Sequence, residues 1–116
     1  MSRPLTGLSA WLVQRLSAIY MALFTIAAVV LFTLVPLDDY GAWHALWQRP
    51  VVSAATALFF VALLLHSWVG IRDVILDYAG WSTSLRLTLL ALVGAWLLIL
   101  GFWMLEILLT VVSPWN

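Results

Sequence analysis

The sequence has no cysteine and no lysine, and it has few charged residues of either sign. Without cysteine, the 116-residue chain cannot form a disulfide, hold an iron–sulfur cluster or bind a metal through thiolates. Its five basic residues are balanced by five acidic ones, so no basic face exists for a nucleic-acid backbone, and nucleic-acid binding is excluded. Charged residues make up only 9% of the chain, which is too few to cover the surface of a small soluble domain.

Hydrophobic residues, in contrast, make up 66% of the chain, and the mean hydropathy is +1.11. Three stretches without formal charge cover residues 16–35, 51–71 and 87–105. As helices they would each extend roughly 28–32 Å, which matches a bilayer core of about 30 Å. The sequence therefore predicts an all-α membrane protein, with residues 1–116 forming one transmembrane anchor domain. The predicted spans are approximately 13–35, 51–79 and 84–112.

The first connection predicts a short helix at the membrane interface, between the first and second spans. Asp38 or Asp39 would cap its start, and Pro50 would follow its end. Trp43 and Trp47, four residues apart, lie on one side of this helix and would anchor it at the interface.

We number the helices of the three predicted spans 1, 2 and 3. The second connection predicts that helix 2 continues past the membrane core and stops near Gly80, a usual residue just after a helix end. Ser82 or Ser84 would then cap helix 3. Gly94 and Gly101, seven residues apart in helix 3, would line one helix contact.

The arginines predict the orientation of the chain. Arg3, Arg15, Arg72 and Arg86 would share one side of the membrane, and Arg49 would lie on the other with Asp38 and Asp39. This excess predicts a cytoplasmic N-terminus and a periplasmic C-terminus. The tryptophans fit two interfaces, with Trp11 and Trp81 inside and Trp43, Trp47 and Trp115 outside.

Helix 2 carries a narrow stripe of residues that lipid tolerates poorly. At 100° per residue, Asp73 and Asp77 each lie about 20° from His66, and Gly70 lies about 40° away. Ionisable groups within a span normally face protein or a cavity and mark function. The stripe is thus the first place to look for a functional site.

His66 would lie about 22 Å into the membrane from Val51. It could be an axial haem ligand, because a neutral imidazole nitrogen binds iron, or it could simply bond to a neighbouring helix. His44 falls in the interfacial segment and is interpreted as a surface residue. If two histidines hold a haem, the second must come from another chain, and the chemistry would be electron transfer.

Asp77 and Tyr78 would lie about 16 Å further along helix 2, at the inner boundary. A carboxylate and a phenol there could bind and protonate a quinone headgroup, or could be ordinary polar residues of a wet helix end. Asp73 is expected to pair with Arg72 or with another subunit. Arg15 could pair with a haem propionate or with Asp77, or could be a positive-inside flank.

Residues 66–78, HSWVGIRDVILDY, resemble the H-x-W-x-G…D-Y signature of succinate dehydrogenase hydrophobic membrane anchor subunits, the smaller of the two anchors of complex II. Residues 14–18, QRLSA, are similar to the first-helix entrance of that family. The resemblance implies that His66 is one axial ligand of a haem b shared with a second, cytochrome b-type membrane anchor. It also implies that Tyr78 and Asp77 bind ubiquinone, and that Arg15 lies near the haem propionates or the quinone entrance.

The implied function is that of a non-catalytic anchor in a bacterial inner-membrane succinate:quinone oxidoreductase. A flavoprotein and an iron–sulfur subunit would dock at its cytoplasmic face and pass electrons from succinate to ubiquinone. Two alternatives stay open. One is the anchor of a menaquinol:fumarate reductase, and the other is a non-redox membrane scaffold or small transporter subunit in which His66 only packs.

Overall fold

The computed structural model describes residues 7–113, and every regular element in that range is an α-helix. The four helices are α1 (Gly7–Leu34), α2 (Tyr40–Gln48), α3 (Pro50–Tyr78) and α4 (Thr83–Val112). Helices α1, α3 and α4 are long and apolar enough to cross a membrane and correspond to the predicted helices 1, 2 and 3. The prediction of three spans with a short helix between the first two is confirmed. Arg3 and Trp115, used in the orientation argument, lie outside the described residues.

The helix ends lie where the capping residues predict them. The Asp39 carboxylate accepts a hydrogen bond of 2.7 Å from the Ala42 amide at the start of α2. Pro50 occupies the start of α3, where its missing amide hydrogen costs nothing. The Ser82 hydroxyl accepts from an amide in the first turn of α4, and Gly80 follows the C-cap of α3. Of the two candidates at each cap, Asp39 and Ser82 do the capping.

The first helix extends further than its predicted span. It begins at Gly7 rather than near residue 13, because a count of apolar residues marks the membrane core and not the end of the helix. The other two long helices differ from the predicted spans by one residue or none at each end.

Helix α3 is the middle helix and packs against α1 and α4 on different faces. On the α1 side, the rings of Phe24 and Phe59 stack with centroids 4.5 Å apart. On the α4 side, Gly94 and Gly101 face the side chains of Trp68 and Leu64, so the expected glycine-lined contact is confirmed. Within residues 7–113, α1 and α4 do not contact each other. The three helices therefore form an open row.

Helix α2 packs against the end of this row at which α3 begins, touching α3 and α4. The indole of Trp43 contacts the indole of Trp47 and the ring of Phe32, at centroid distances of 5.4 and 5.7 Å. The Ser53 hydroxyl donates to the Trp47 carbonyl and so joins α2 to the first turn of α3. The two tryptophans thus lie together, as their spacing predicts.

Most of the apolar surface remains uncovered within this chain. Helix α4 buries no residue, and the only large side chain that is fully buried among residues 7–113 is Val69 of α3. A soluble protein would not tolerate so much exposed apolar surface. In a membrane, these faces meet lipid or other subunits.

Candidate functional site

His66 lies on the face of α3 that packs against α1. Its Nδ1 atom is 3.1 Å from the Oγ atom of Ser17, one turn above Gln14 on α1. Ser17 is buried and His66 is half-buried. A hydrogen bond from His66 to a neighbouring helix is therefore present, as one of the two interpretations of this residue expects.

The hydrogen bond to Ser17 uses only one nitrogen of the ring. Within residues 7–113, the Nε2 atom of His66 has no hydrogen-bond partner, and it is not among the buried unpaired polar atoms, so it reaches the surface of the chain. A ring nitrogen that is held on one side and open on the other is suited to bind a metal. The contact with Ser17 is thus compatible with ligation by Nε2.

Contacts on both sides of the pair formed by Ser17 and His66 align α1 and α3 along their lengths. Towards the start of α3, the Tyr20 hydroxyl donates to the Ala55 carbonyl at 2.6 Å. Towards the end of α3, a Cβ on Gly70 would lie 3.4 Å from the side-chain nitrogen of Gln14, so the helices approach closely there. The Gln14 Oε1 atom is buried without a hydrogen-bond partner among the described residues.

An open groove of about 330 Å³ runs beside Ser17, between α1 and α3. It is lined by Val13, Leu16, Ser17, Tyr20, Leu58, Val61, Ala62 and Leu65. The lining is almost wholly apolar, and Ala62 and Leu65 belong to the turn of α3 just before His66. His66 is not among the lining residues of this groove, whose apolar walls suit an apolar group more than a hydrated ion.

Asp77 and Tyr78 end α3 and are exposed, Tyr78 at 79%. Neither forms a hydrogen bond or an ion pair with another described residue. By helical rise they lie about 16–18 Å from His66. They therefore offer a free carboxylate and a free phenol at the end of the helix, where another molecule or subunit can reach them.

The remaining charged residues of the predicted set are arranged differently. Arg72 forms an ion pair with Asp73, with Nη2 and Oδ1 3.0 Å apart, so the expected pairing within the chain is confirmed. The Arg15 guanidinium lies over the indole of Trp11, 5.5 Å from the ring centroid. The possible pair between Arg15 and Asp77 does not form, because Arg15 lies about 160° around α1 from the face that meets α3.

The described residues fit half of a haem site. They contain no group of three or more histidine, cysteine or acidic side chains that could hold a metal ion. His44, the other histidine, lies in α2 against the ring of Tyr40. His66 is 16 residues beyond the start of α3, about 24 Å along the helix from the end where α2 lies. A second axial histidine would have to come from another chain.

The fold and this site define a class: a small helical membrane subunit with three spans and one accessible intramembrane imidazole. Residues 1–103 match the sequence model of the succinate dehydrogenase/fumarate reductase transmembrane subunit family, and the chain belongs to that family. It is also similar to the succinate dehydrogenase hydrophobic membrane anchor subunit of Coxiella burnetii. The two are 29% identical over 104 residues, which cover 88% of each chain. The chain is thus a multi-pass membrane anchor subunit, as its signature indicates.

Ser17 and Gln14 are the site residues that the sequence does not single out. Both fall in the segment that resembles the first-helix entrance of the family, but nothing in their spacing points to α3. The available signal was a serine and a glutamine within an otherwise apolar helix, where polar side chains commonly bond to a neighbouring helix.

Proposed function

We propose that this chain is the haem-binding anchor of a succinate:quinone oxidoreductase, and that His66 is one axial ligand of a haem b. The observation that carries the proposal is the accessible Nε2 atom of His66, whose ring is held by Ser17 from the other side. Membership of the succinate dehydrogenase/fumarate reductase family supports it. A haem held by two histidines would supply one-electron transfer.

The second axial histidine would belong to the other membrane anchor of the complex. The open row of helices supports this arrangement, since α1, α3 and α4 leave broad apolar faces for another helical subunit. Ionisable side chains in a span are costly in lipid. Assembly with the second anchor would remove this cost for His66.

Asp77 and Tyr78 would form part of the ubiquinone site. Reduction of a quinone to a quinol takes up two electrons and two protons. The Tyr78 hydroxyl can donate a hydrogen bond to a quinone carbonyl, and the Asp77 carboxylate can pass a proton from water. Their exposure and their freedom from partners within the described chain support this role.

The end of the bundle that carries Asp77 and Tyr78 would face the cytoplasm of a bacterial cell. Arg15, Arg72 and Arg86 lie at this end, while the other end carries Arg49 with Asp38 and Asp39. The iron–sulfur and flavoprotein subunits would dock there. Electrons from succinate would then reach the quinone without crossing the membrane.

Replacement of each histidine in turn tests the haem assignment. In the purified complex, we expect His66→Ala to abolish or strongly weaken the b-type absorbance of a reduced-minus-oxidised spectrum. We expect His44→Ala, the matched control in α2, to leave the spectrum unchanged. An unchanged Soret band in the assembled His66→Ala complex would exclude His66 as a ligand. A wild-type complex without haem absorbance would favour a non-redox scaffold.

The fumarate reductase anchor is a second candidate, because the matched family is that of the transmembrane subunits of succinate dehydrogenase and fumarate reductase. It would have the same helices and would oxidise menaquinol instead of reducing ubiquinone. Two rates of the purified complex distinguish these candidates. One is measured with succinate and a ubiquinone analogue, and the other with fumarate and a menaquinol analogue. A faster fumarate reaction would replace the first proposal with the second.

A further inference from the structure

We infer that Ser17 is a positioning residue that holds His66 in the tautomer with its proton on Nδ1. This leaves the lone pair on Nε2, the nitrogen that faces away from Ser17. The inference rests on the proposed haem ligation by His66 and assigns a role to a residue of α1.

The Ser17 hydroxyl has one proton, and its surroundings decide where that proton goes. The Oγ atom lies 2.6 Å from the Val13 carbonyl oxygen, 3.1 Å from the Gln14 carbonyl oxygen and 3.1 Å from His66 Nδ1. A carbonyl oxygen only accepts, so a contact as short as 2.6 Å needs the hydroxyl proton between the two oxygens. The proton of Ser17 is thus used within its own helix.

Because the Ser17 hydroxyl donates its hydrogen bond to the Val13 carbonyl, its oxygen can only accept a hydrogen bond from His66. The Nδ1 atom must then carry the ring proton, and the neutral imidazole has a bare Nε2. The opposite tautomer would put a lone pair on Nδ1 against the lone pairs of Oγ, and a proton on the nitrogen needed by the metal. Because Ser17 is buried, bulk water does not readily replace it as the acceptor.

A hydrogen bond accepted from Nδ1 has a second consequence for a ligated imidazole. It makes the ring a stronger electron donor, and outer partners of this kind typically change metal affinity about 10- to 100-fold. Stronger donation favours ferric over ferrous iron. Loss of the Ser17 oxygen is therefore expected to raise the midpoint potential of the haem and to weaken its retention.

Four variants of the purified complex test this inference. Ser17→Ala removes the acceptor, and Ser17→Thr keeps it. Thr25→Ala is the matched control, because Thr25 makes the same hydroxyl bond to the carbonyl four residues earlier on α1, to Met21 at 2.8 Å, but contacts no histidine. His66→Ala reports the ligand itself. The readouts are the haem-to-protein ratio, the electron paramagnetic resonance g-values of the ferric haem and its midpoint potential.

We expect Ser17→Ala to shift the g-values, to move the midpoint potential to more positive values and to lower the haem content. Ser17→Thr and Thr25→Ala should match the wild type. If Ser17→Ala does not assemble, Ser17→Cys, whose thiol is a weak acceptor, should show the same shifts. Wild-type g-values and potential in Ser17→Ala, or in Ser17→Cys in its place, would overturn the inference.

The two proposals fail in different ways. Loss of haem in His66→Ala together with unshifted Ser17 variants would refute the role of Ser17 alone. Retention of haem in His66→Ala would refute the ligand assignment, and the role of Ser17 with it.

Discussion

The indole of Trp68 packs against Gly94 of α4, where a Cβ atom on the glycine would lie 3.6 Å from indole Cζ3. Trp68 lies two residues after His66 and about 160° around α3 from it. The tryptophan therefore faces α4 while the histidine faces α1. By holding the rotation of α3, the contact between Trp68 and Gly94 helps to keep His66 beside Ser17.

Substitutions of Gly94 by a small and by a large residue test how closely α4 packs against Trp68 at this position. A Cβ at 3.6 Å is an ordinary van der Waals contact, so Gly94→Ala should leave the thermal stability of the solubilised complex unchanged. Gly94→Leu should overpack the contact and lower stability by about 1–3 kcal/mol. Equal thermal unfolding midpoints for Gly94→Leu and Gly94→Ala would contradict this, because they would show that α3 and α4 separate here at no cost in stability.

Tyr78→Phe removes the phenol hydroxyl proposed to bind the quinone. Loss of one hydrogen bond of about 0.5–1.5 kcal/mol should slow succinate-driven quinone reduction roughly 2- to 10-fold. Succinate oxidation with an artificial dye acceptor should persist, because the dye takes its electrons before the quinone. Tyr40→Phe, at an equally exposed tyrosine on the opposite end, is the control. An equal loss of both activities in Tyr78→Phe would contradict a role at the quinone.

The sequence predicts the helices well because the physical signals for them are local. Apolar runs of bilayer length mark α1, α3 and α4, and the Asp39 and Ser82 caps and Pro50 mark where helices begin. It predicts the packing poorly. Apart from the stripe around His66, the long helices are apolar on all sides, and the stripe alone does not tell whether it meets α1, α4 or another subunit.

The candidate site divides in the same way. The stripe on α3 follows from helical periodicity, and so does the end position of Asp77 and Tyr78. The partner of His66 does not follow, because Ser17 is 49 residues away in sequence and the pairing depends on how two helices slide past each other. The contact of Arg15 with Trp11 is local, because residues four apart lie on the same face of a helix. Periodicity does not tell, however, that this face of α1 points away from α3.

Asp39→Ala tests the cap of the interfacial helix. Removing the side-chain acceptor of an N-cap typically costs about 1 kcal/mol. Since α2 has only nine residues, we expect a local effect: hydrogen exchange of residues 40–48 should become about fivefold faster. Asp38→Ala removes the same charge without removing a cap and should leave exchange unchanged. Equal acceleration in both variants would attribute the effect to charge instead of capping.

The absence of cysteine allows a direct test of orientation, since any thiol introduced into the chain is the only one it carries. Tyr40→Cys and Trp81→Cys place a thiol at two highly exposed positions, one in the connection between α1 and α3 and one in that between α3 and α4. If the arginine-rich end faces the cytoplasm, a membrane-impermeant maleimide should label Tyr40→Cys in intact cells and leave Trp81→Cys unlabelled. A reporter fused to the C-terminus should then be active only in its periplasmic form. Labelling of Trp81→Cys but not Tyr40→Cys in intact cells would reverse the orientation, and would place Asp77 and Tyr78 on the side away from cytoplasmic succinate.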